Sequence, residues 1–198
     1  MSHPCDPVWR LSLRGAVVLA AVAVAAVGGA AEEGNRLPDP SFEDLDAKTV
    51  CPAGWHPWAA ENTAVYSLAA ARTGLACAAV TDASPQVSQG LRSARVEVEP
   101  GRTYEASVWV YIEHAEAGGF SVYLEYWTGE ARIADFSVGT DVVGKWMELR
   151  TARPAPAGAR TATVLIYGSS ATVGRALFDD ACLSEKKDGA LSPQGPDL

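Results

Sequence analysis

Two groups of side chains in this 198-residue chain have the types and spacing for ligand chemistry. The first is a pair of acidic segments, Pro38-Asp39-Pro40-Ser41-Phe42-Glu43 near the start and Ala176-Leu177-Phe178-Asp179-Asp180-Ala181-Cys182-Leu183 near the end. If the first and last strands of one fold lie side by side, Glu43 and Asp180 meet. Two carboxylates drawn out of water together need a cation, so the pair is a candidate metal site. The second group is Trp109, Tyr111, Tyr123, Glu125, Trp127 and Tyr167. It sets flat rings around a carboxylate.

Strands must position both groups. Period-2 alternation runs through 63–68, 75–81, 94–99, 102–113, 120–128, 132–138, 145–153, 159–168 and 175–184. Turn chemistry at Pro100-Gly101, Gly118-Gly119, Thr128-Gly129, Val143-Gly144 and Pro156-Ala157-Gly158 separates them. No sustained helical period follows the first thirty residues. The pattern predicts an all-β fold, a two-sheet antiparallel β-sandwich or jelly roll. Tyr104, Ala106, Val108, Val110 and Ile112 share one face, as do Phe120, Val122, Leu124 and Tyr126, and Ala162, Val164 and Ile166. These faces read as core. The opposite faces carry the second group, where a purely solvated surface would not place so many large rings. Sugars present apolar C–H faces and hydroxyl rims, and rings beside Glu125 suit them. The alternatives are packing under a loop or a partner domain, or a bulge that turns the rings into the core.

Arg10 and Arg14 precede an apolar run from Ala16 to Val27 and then Gly28-Gly29-Ala30-Ala31. This is the layout of a secretory signal over residues 1–31, with cleavage after Ala30 or Ala31. An uncleaved anchor is the alternative, but a span takes about 20 apolar residues and this run is shorter. Residues 32–36 read as a linker, 37–184 as the β-domain and 185–198 as a disordered tail. The chain carries a net charge of −8 with no basic cluster, which excludes a nucleic-acid binder. Once the signal is cleaved, no membrane partner is expected, and the place of action is secreted or cell-envelope.

Enzyme signatures are lacking. His56 and His114 have no zinc spacing, and Gly168-Ser169-Ser170 is a turn rather than a nucleophile elbow. Glu113 and Glu125 would be the only conceivable glycosidase pair, and two exposed strand carboxylates is the plainer reading.

Several segments resemble one family. Asp39-Pro40-Ser41-Phe42-Glu43 is similar to the opening of carbohydrate-binding modules with a galactose-binding-like jelly roll, the xylan- and glucan-binding modules of secreted glycoside hydrolases. Gly54-Trp55 and Gly74-Leu75-Ala76-Cys77-Ala78-Ala79-Val80 resemble later motifs of that family. Pro100-Gly101-Arg102-Thr103-Tyr104-Glu105-Ala106-Ser107-Val108-Trp109-Val110 is the strongest match. Lys145-Trp146-Met147-Glu148-Leu149 and Phe178-Asp179-Asp180-Ala181-Cys182-Leu183 resemble its late motifs. Asp39-Pro40 departs from the usual Asn-Gly and stiffens the entry. The resemblance implies a non-catalytic module that binds polysaccharide or oligosaccharide through Trp109, Tyr111, Tyr123, Glu125, Trp127 and Tyr167. It also implies a structural calcium (Ca2+) held by Glu43, Asp180 and carbonyls of the Arg72–Gly74 turn. In the resembled topology Cys77 and Cys182 neighbour each other and form a disulfide, with Cys51 as the rival partner for either. A secreted enzyme or envelope protein is a further expected partner. The alternative functions are a structural or protein-interaction domain and, third, a jelly-roll glycoside hydrolase or lyase.

Overall fold

The computed structural model of the chain describes residues 34–58, 65–68, 70–169 and 171–186. The expected signal at 1–31 and most of the expected tail lie outside the described residues. Two antiparallel sheets pack face to face. Sheet I runs in the order β10 (Ala131–Thr140), β9 (Phe120–Thr128), β12 (Thr161–Gly168), β6 (Gln89–Ser93) and β3 (Trp55–Pro57), with β7 (Val96–Glu97) also paired to β12. Sheet II runs β11 (Trp146–Pro154), β8 (Thr103–Ala117), β13 (Val173–Glu185), β5 (Cys77–Asp82) and β4 (Val65–Ser67). A two-stranded hairpin, β1 (Leu45–Asp46) and β2 (Cys51–Pro52), stands apart.

Alternation decides the core. Val108, Val110 and Ile112 of β8 face Val122 and Leu124 of β9 and Val164 and Ile166 of β12, all fully buried. Each such side chain contributes roughly 1.5–3 kcal/mol on leaving water. Tyr104 and Tyr126 join this core because each hydroxyl has a partner. The Tyr126 hydroxyl donates to the Arg153 carbonyl at 2.7 Å, and that of Tyr104 accepts the Glu99 amide at 2.9 Å. Trp55 is also core, stacked at a tilt 5.0 Å from Phe42.

Strand β6 and the short β1–β3 have no counterpart among the expected strands. In β6 the alternation is broken by Gly90, which sits against the Ile166 carbonyl so closely that a Cβ would lie 2.3 Å from it. The same approach lets β6 pair with β12, from Gln89 opposite Gly168 to Arg92 opposite Leu165.

The two ends of the domain do lie side by side. The Arg36 amide donates to the Leu183 carbonyl at 2.9 Å, and the Ala181 amide to the Pro40 carbonyl at 2.7 Å. The Asn35 side chain bridges the Ala181 carbonyl and the Leu183 amide. Asn35 and Arg36, read from sequence as linker, thus belong to the bonded domain. The entry itself is no strand, since Pro38 and Pro40 cannot donate and Asp39 and Phe42 have φ of 38° and 55°. Strand β13 bulges just there. Asp179 opposes Trp109 and Cys182 opposes Ser107, so one residue is extra, and Asp180 takes φ 47°.

The register of β13 against β5 corrects the disulfide expectation. Pairing of β13 with β5 ends with Phe178 opposite Ala78, which sets Cys77 level with Asp179 rather than Cys182. Three residues along a strand is about 10 Å, beyond the Cα separation a disulfide spans. Cys51, Cys77 and Cys182 are buried and joined by no disulfide among the described residues, and burial beside Asp179 pushes the Cys77 thiol up to about 11.

Candidate functional site

The outer face of sheet I carries an open cluster of rings. Across the strands, His56, Arg92, Leu165, Tyr123 and Ser137 stand in register in one row. In the next row Tyr167 lies between the small residues Gly90 and Ser121. Tyr167 meets Trp58 and Tyr123 edge-on, with ring centres 5.6 Å away in both cases. Trp58 is placed by its own backbone, whose amide donates to the Gly90 carbonyl at 2.9 Å. All three rings are half-buried, fixed below and open above.

Beside the rings lies an ionic network built on Glu125. Its carboxylate is fully buried. Arg92 donates through Nε at 2.6 Å to Oε2 and through Nη2 at 3.0 Å to Oε1. Arg132 donates to Oε1 at 2.7 Å, and the Thr163 hydroxyl to Oε2 at 2.8 Å. Glu125 therefore has no oxygen to offer a ligand, contrary to its expected part as a hydrogen-bonder to sugar hydroxyls. Its work is to hold two guanidinium groups. The bond from Glu125 in turn raises the pKa of Arg132.

Trp127 belongs to this network. Its indole N–H donates to Thr163 at 2.9 Å, and the guanidinium groups of Arg92 and Arg95 stand 5.0 and 4.7 Å from its ring centre. Arg92 also lies 4.3 Å from the ring of Trp58. Trp127 thus braces arginines and has less ring free for stacking than Tyr167 has.

Trp109 and Tyr111 are elsewhere. They stand on the outer face of sheet II, on the far side of the sandwich, because β8 belongs to that sheet. Tyr111 packs with Trp146 at 5.6 Å over Cys77, Ala79 and Leu177, a small second core. The guanidinium of Arg72 covers Trp109 at 3.9 Å. Of the six residues expected to bind one ligand, the structure brings four together and separates these two. It also separates Glu113, paired with Arg175 at 2.7 Å on sheet II, from Glu125 on sheet I, so these two cannot flank one glycosidic bond.

Alternation and motif spacing do not single out Arg92, Arg132 or Trp58. Arg92 sits in the unrecognised strand β6. The available signal for Trp58 was its place two residues beyond His56, after core Trp55, at a strand edge.

Glu43 and Asp180 are both at the expected clasp. Glu43 accepts the Leu75 amide at 3.0 Å and the Ala76 amide at 3.2 Å, and its carboxylate lies on Gly74, where a Cβ would be 2.0 Å from it. Asp180 accepts the Thr73 hydroxyl at 2.7 Å and the Arg72 guanidinium at 2.5 Å. Between them Asp179, fully buried, accepts the amides of Arg72, Thr73 and Asp180. Calcium needs oxygen lone pairs turned toward it. Here amide, hydroxyl and guanidinium donors face those carboxylates, and as placed the residues do not fit a calcium ion. No group of three or more His, Cys, Asp or Glu side chains among the described residues is arranged to hold a metal.

No family model matches the chain, and no curated protein matches it either. Solved structures do. The enzymatically active domain of bacteriophage CBA120 tailspike protein 4 aligns over 77% of this chain at 13% identity and TM-score 0.59, where the match spans 21% of the tailspike chain. A family 16 carbohydrate-binding module aligns over 81% of this chain and 99% of its own at 16% identity and TM-score 0.55. The CBM22-1 xylan-binding domain of a Paenibacillus barcinonensis protein aligns over 74% and 92% at 15% identity and TM-score 0.52. The likeness is one of fold, and by fold this chain is a jelly-roll β-sandwich of the kind found in carbohydrate-binding modules.

Proposed function

We propose that this chain is a non-catalytic carbohydrate-binding domain of an exported protein, adsorbing to polysaccharide through the outer face of sheet I. The observation that carries the reading is the cluster of Tyr167, Trp58 and Tyr123, rigid below and open above, beside two fixed guanidinium groups. Flat rings take the apolar face of a pyranose, and N–H donors take its hydroxyl and ring oxygens. The face is shallow, so affinity per site is modest and retention depends on long polymers offering many sites. The xylan-binding and family 16 modules named above share the fold, which supports the reading by analogy. A leader of secretory type at 1–31 agrees with an extracellular or envelope polymer as target.

Affinity electrophoresis through gels containing soluble polysaccharides tests this. The wild-type chain is expected to be retarded by at least one polymer, and Tyr167→Ala to migrate freely in that gel. A wild-type chain that no polysaccharide retards would remove the reading in favour of a protein-interaction domain.

A further inference from the structure

Resting on that reading, we infer that the polymer is an acidic one, whose uronate carboxylates are taken by Arg92 and Arg132. The face lacks a free acceptor at its centre. Glu125, the acceptor at its centre, is spent on four contacts inside the protein. What remains beside Tyr123 and Tyr167 is a set of donors. Arg92 commits Nε and one edge of Nη2 to Glu125, and no bond from its Nη1 is made among the described residues. Its plane is held against Trp58. Arg132 gives Glu125 one bond from Nη1 and keeps a partly exposed side chain. A guanidinium held flat by a ring and a buried carboxylate is pre-organised to receive a second carboxylate in two-point fashion.

The charges around the face are mixed. Arg92, Arg95 and Arg132 stand there against Glu125, Asp135 and Glu130. Glu125 is buried beneath the arginines, and Glu97 stands exposed in the row of Trp127 and Thr161. What turns outward at the centre of the face is therefore N–H donors, on a chain whose net charge is −8. Asp135 lies 3.4 Å from Arg132 Nε and weakens that arginine's pull, while Glu130 pairs with Arg95 at the hairpin tip. His56, exposed and in register beside Arg92, adds no negative charge. Selection of an anionic polymer therefore rests on charge-assisted hydrogen bonds from the outward edges of Arg92 and Arg132, with Glu125 fixing their orientation.

The test compares polygalacturonate with its fully methyl-esterified form, which keeps the backbone and removes the charge. Neutral β-1,4-galactan and linear xylan complete the panel. Isothermal titration with the full chain is expected to give about fivefold tighter binding to polygalacturonate than to the ester, the size of one partly exposed ion pair. Raising sodium chloride from 50 to 500 mM should erase that difference. Arg132→Gln should erase it too, and the salt titration of the wild type stands if that variant folds poorly. Equal or tighter binding of the ester, galactan or xylan overturns the acidic assignment and leaves carbohydrate binding in place. Binding to no member of the panel overturns the acidic assignment, and retardation on any other polysaccharide gel then decides the broader reading separately.

Discussion

Arg92 and Glu125 form a two-point ion pair, at 2.6 and 3.0 Å, in which the carboxylate is wholly buried and only the arginine reaches solvent. The pair fixes both the interior and the surface of sheet I's outer face. Arg92→Leu removes two of the four bonds to buried Glu125 and should cost roughly 3 kcal/mol by urea unfolding. Arg132→Leu should cost clearly less, because Arg92 and Thr163 still hold Glu125. Equal losses in the two variants would show that Arg92 has no special place in the network.

The two faces of the sandwich should separate binding from stability. Trp58→Ala and Tyr167→Ala are expected to weaken polysaccharide binding about tenfold, the scale of one stacked ring, with small changes in Tm. Trp109→Ala should leave binding untouched and lower Tm by several degrees, since its ring lies under Arg72 on the other sheet. Loss of binding in Trp109→Ala with an intact fold would put the ligand on sheet II.

Asp179 gives the domain an acid-side stability. Burial, with a lesser push from Asp180, raises its carboxyl to about 6 from an ordinary value near 3.8. A carboxyl raised in the folded state holds its proton more tightly there than in the unfolded chain. Its stabilisation is complete below about pH 4 and is lost as pH rises through 6. Burial raises Asp39 and Asp82 as well, with the same sign. Tm is therefore expected to fall from about pH 4 to about pH 6, and Asp179→Asn should flatten that slope. Parallel wild-type and variant curves would assign the slope to other groups.

The clasp should be self-sufficient in charge. With Arg72 bonded to Asp180, added calcium or EDTA is expected to leave Tm unchanged, while Arg72→Ala lowers it. A calcium-dependent rise of several degrees in the wild type would mean that a metal displaces the guanidinium.

The three described cysteines should behave as thiols. Cys77 is fully buried with its pKa at about 11, and it should resist a thiol reagent until the domain is denatured, while reductant leaves Tm unchanged. A mass two units below that of the reduced protein would reveal a disulfide.

Much of the fold was legible in the chain because alternation is a local property. Tyr104 to Ile112, Phe120 to Tyr126 and Ala162 to Ile166 declared their core faces by period 2 alone, and every one of the alternate positions named there is buried. The acidic end segments likewise declared the meeting of the domain's two ends, which Asn35, Pro40 and Leu183 seal. What alternation cannot state is which sheet a strand joins. Trp109 and Tyr123 both face away from the core, yet they lie on opposite sides of the sandwich, because strand order is set by long-range pairing. Nor can it state who partners a charge. Glu125 looked like a ligand-facing carboxylate until β6 laid Arg92 beside it and β10 brought Arg132. The register of β13 against β5 set Cys182 out of reach of Cys77, and at the bulge in β13 Asp180 meets Arg72. The sequence by itself determined a β-sandwich clasped at its ends. Only the tertiary structure decided which rings share a face, since that depends on register between strands far apart in the chain.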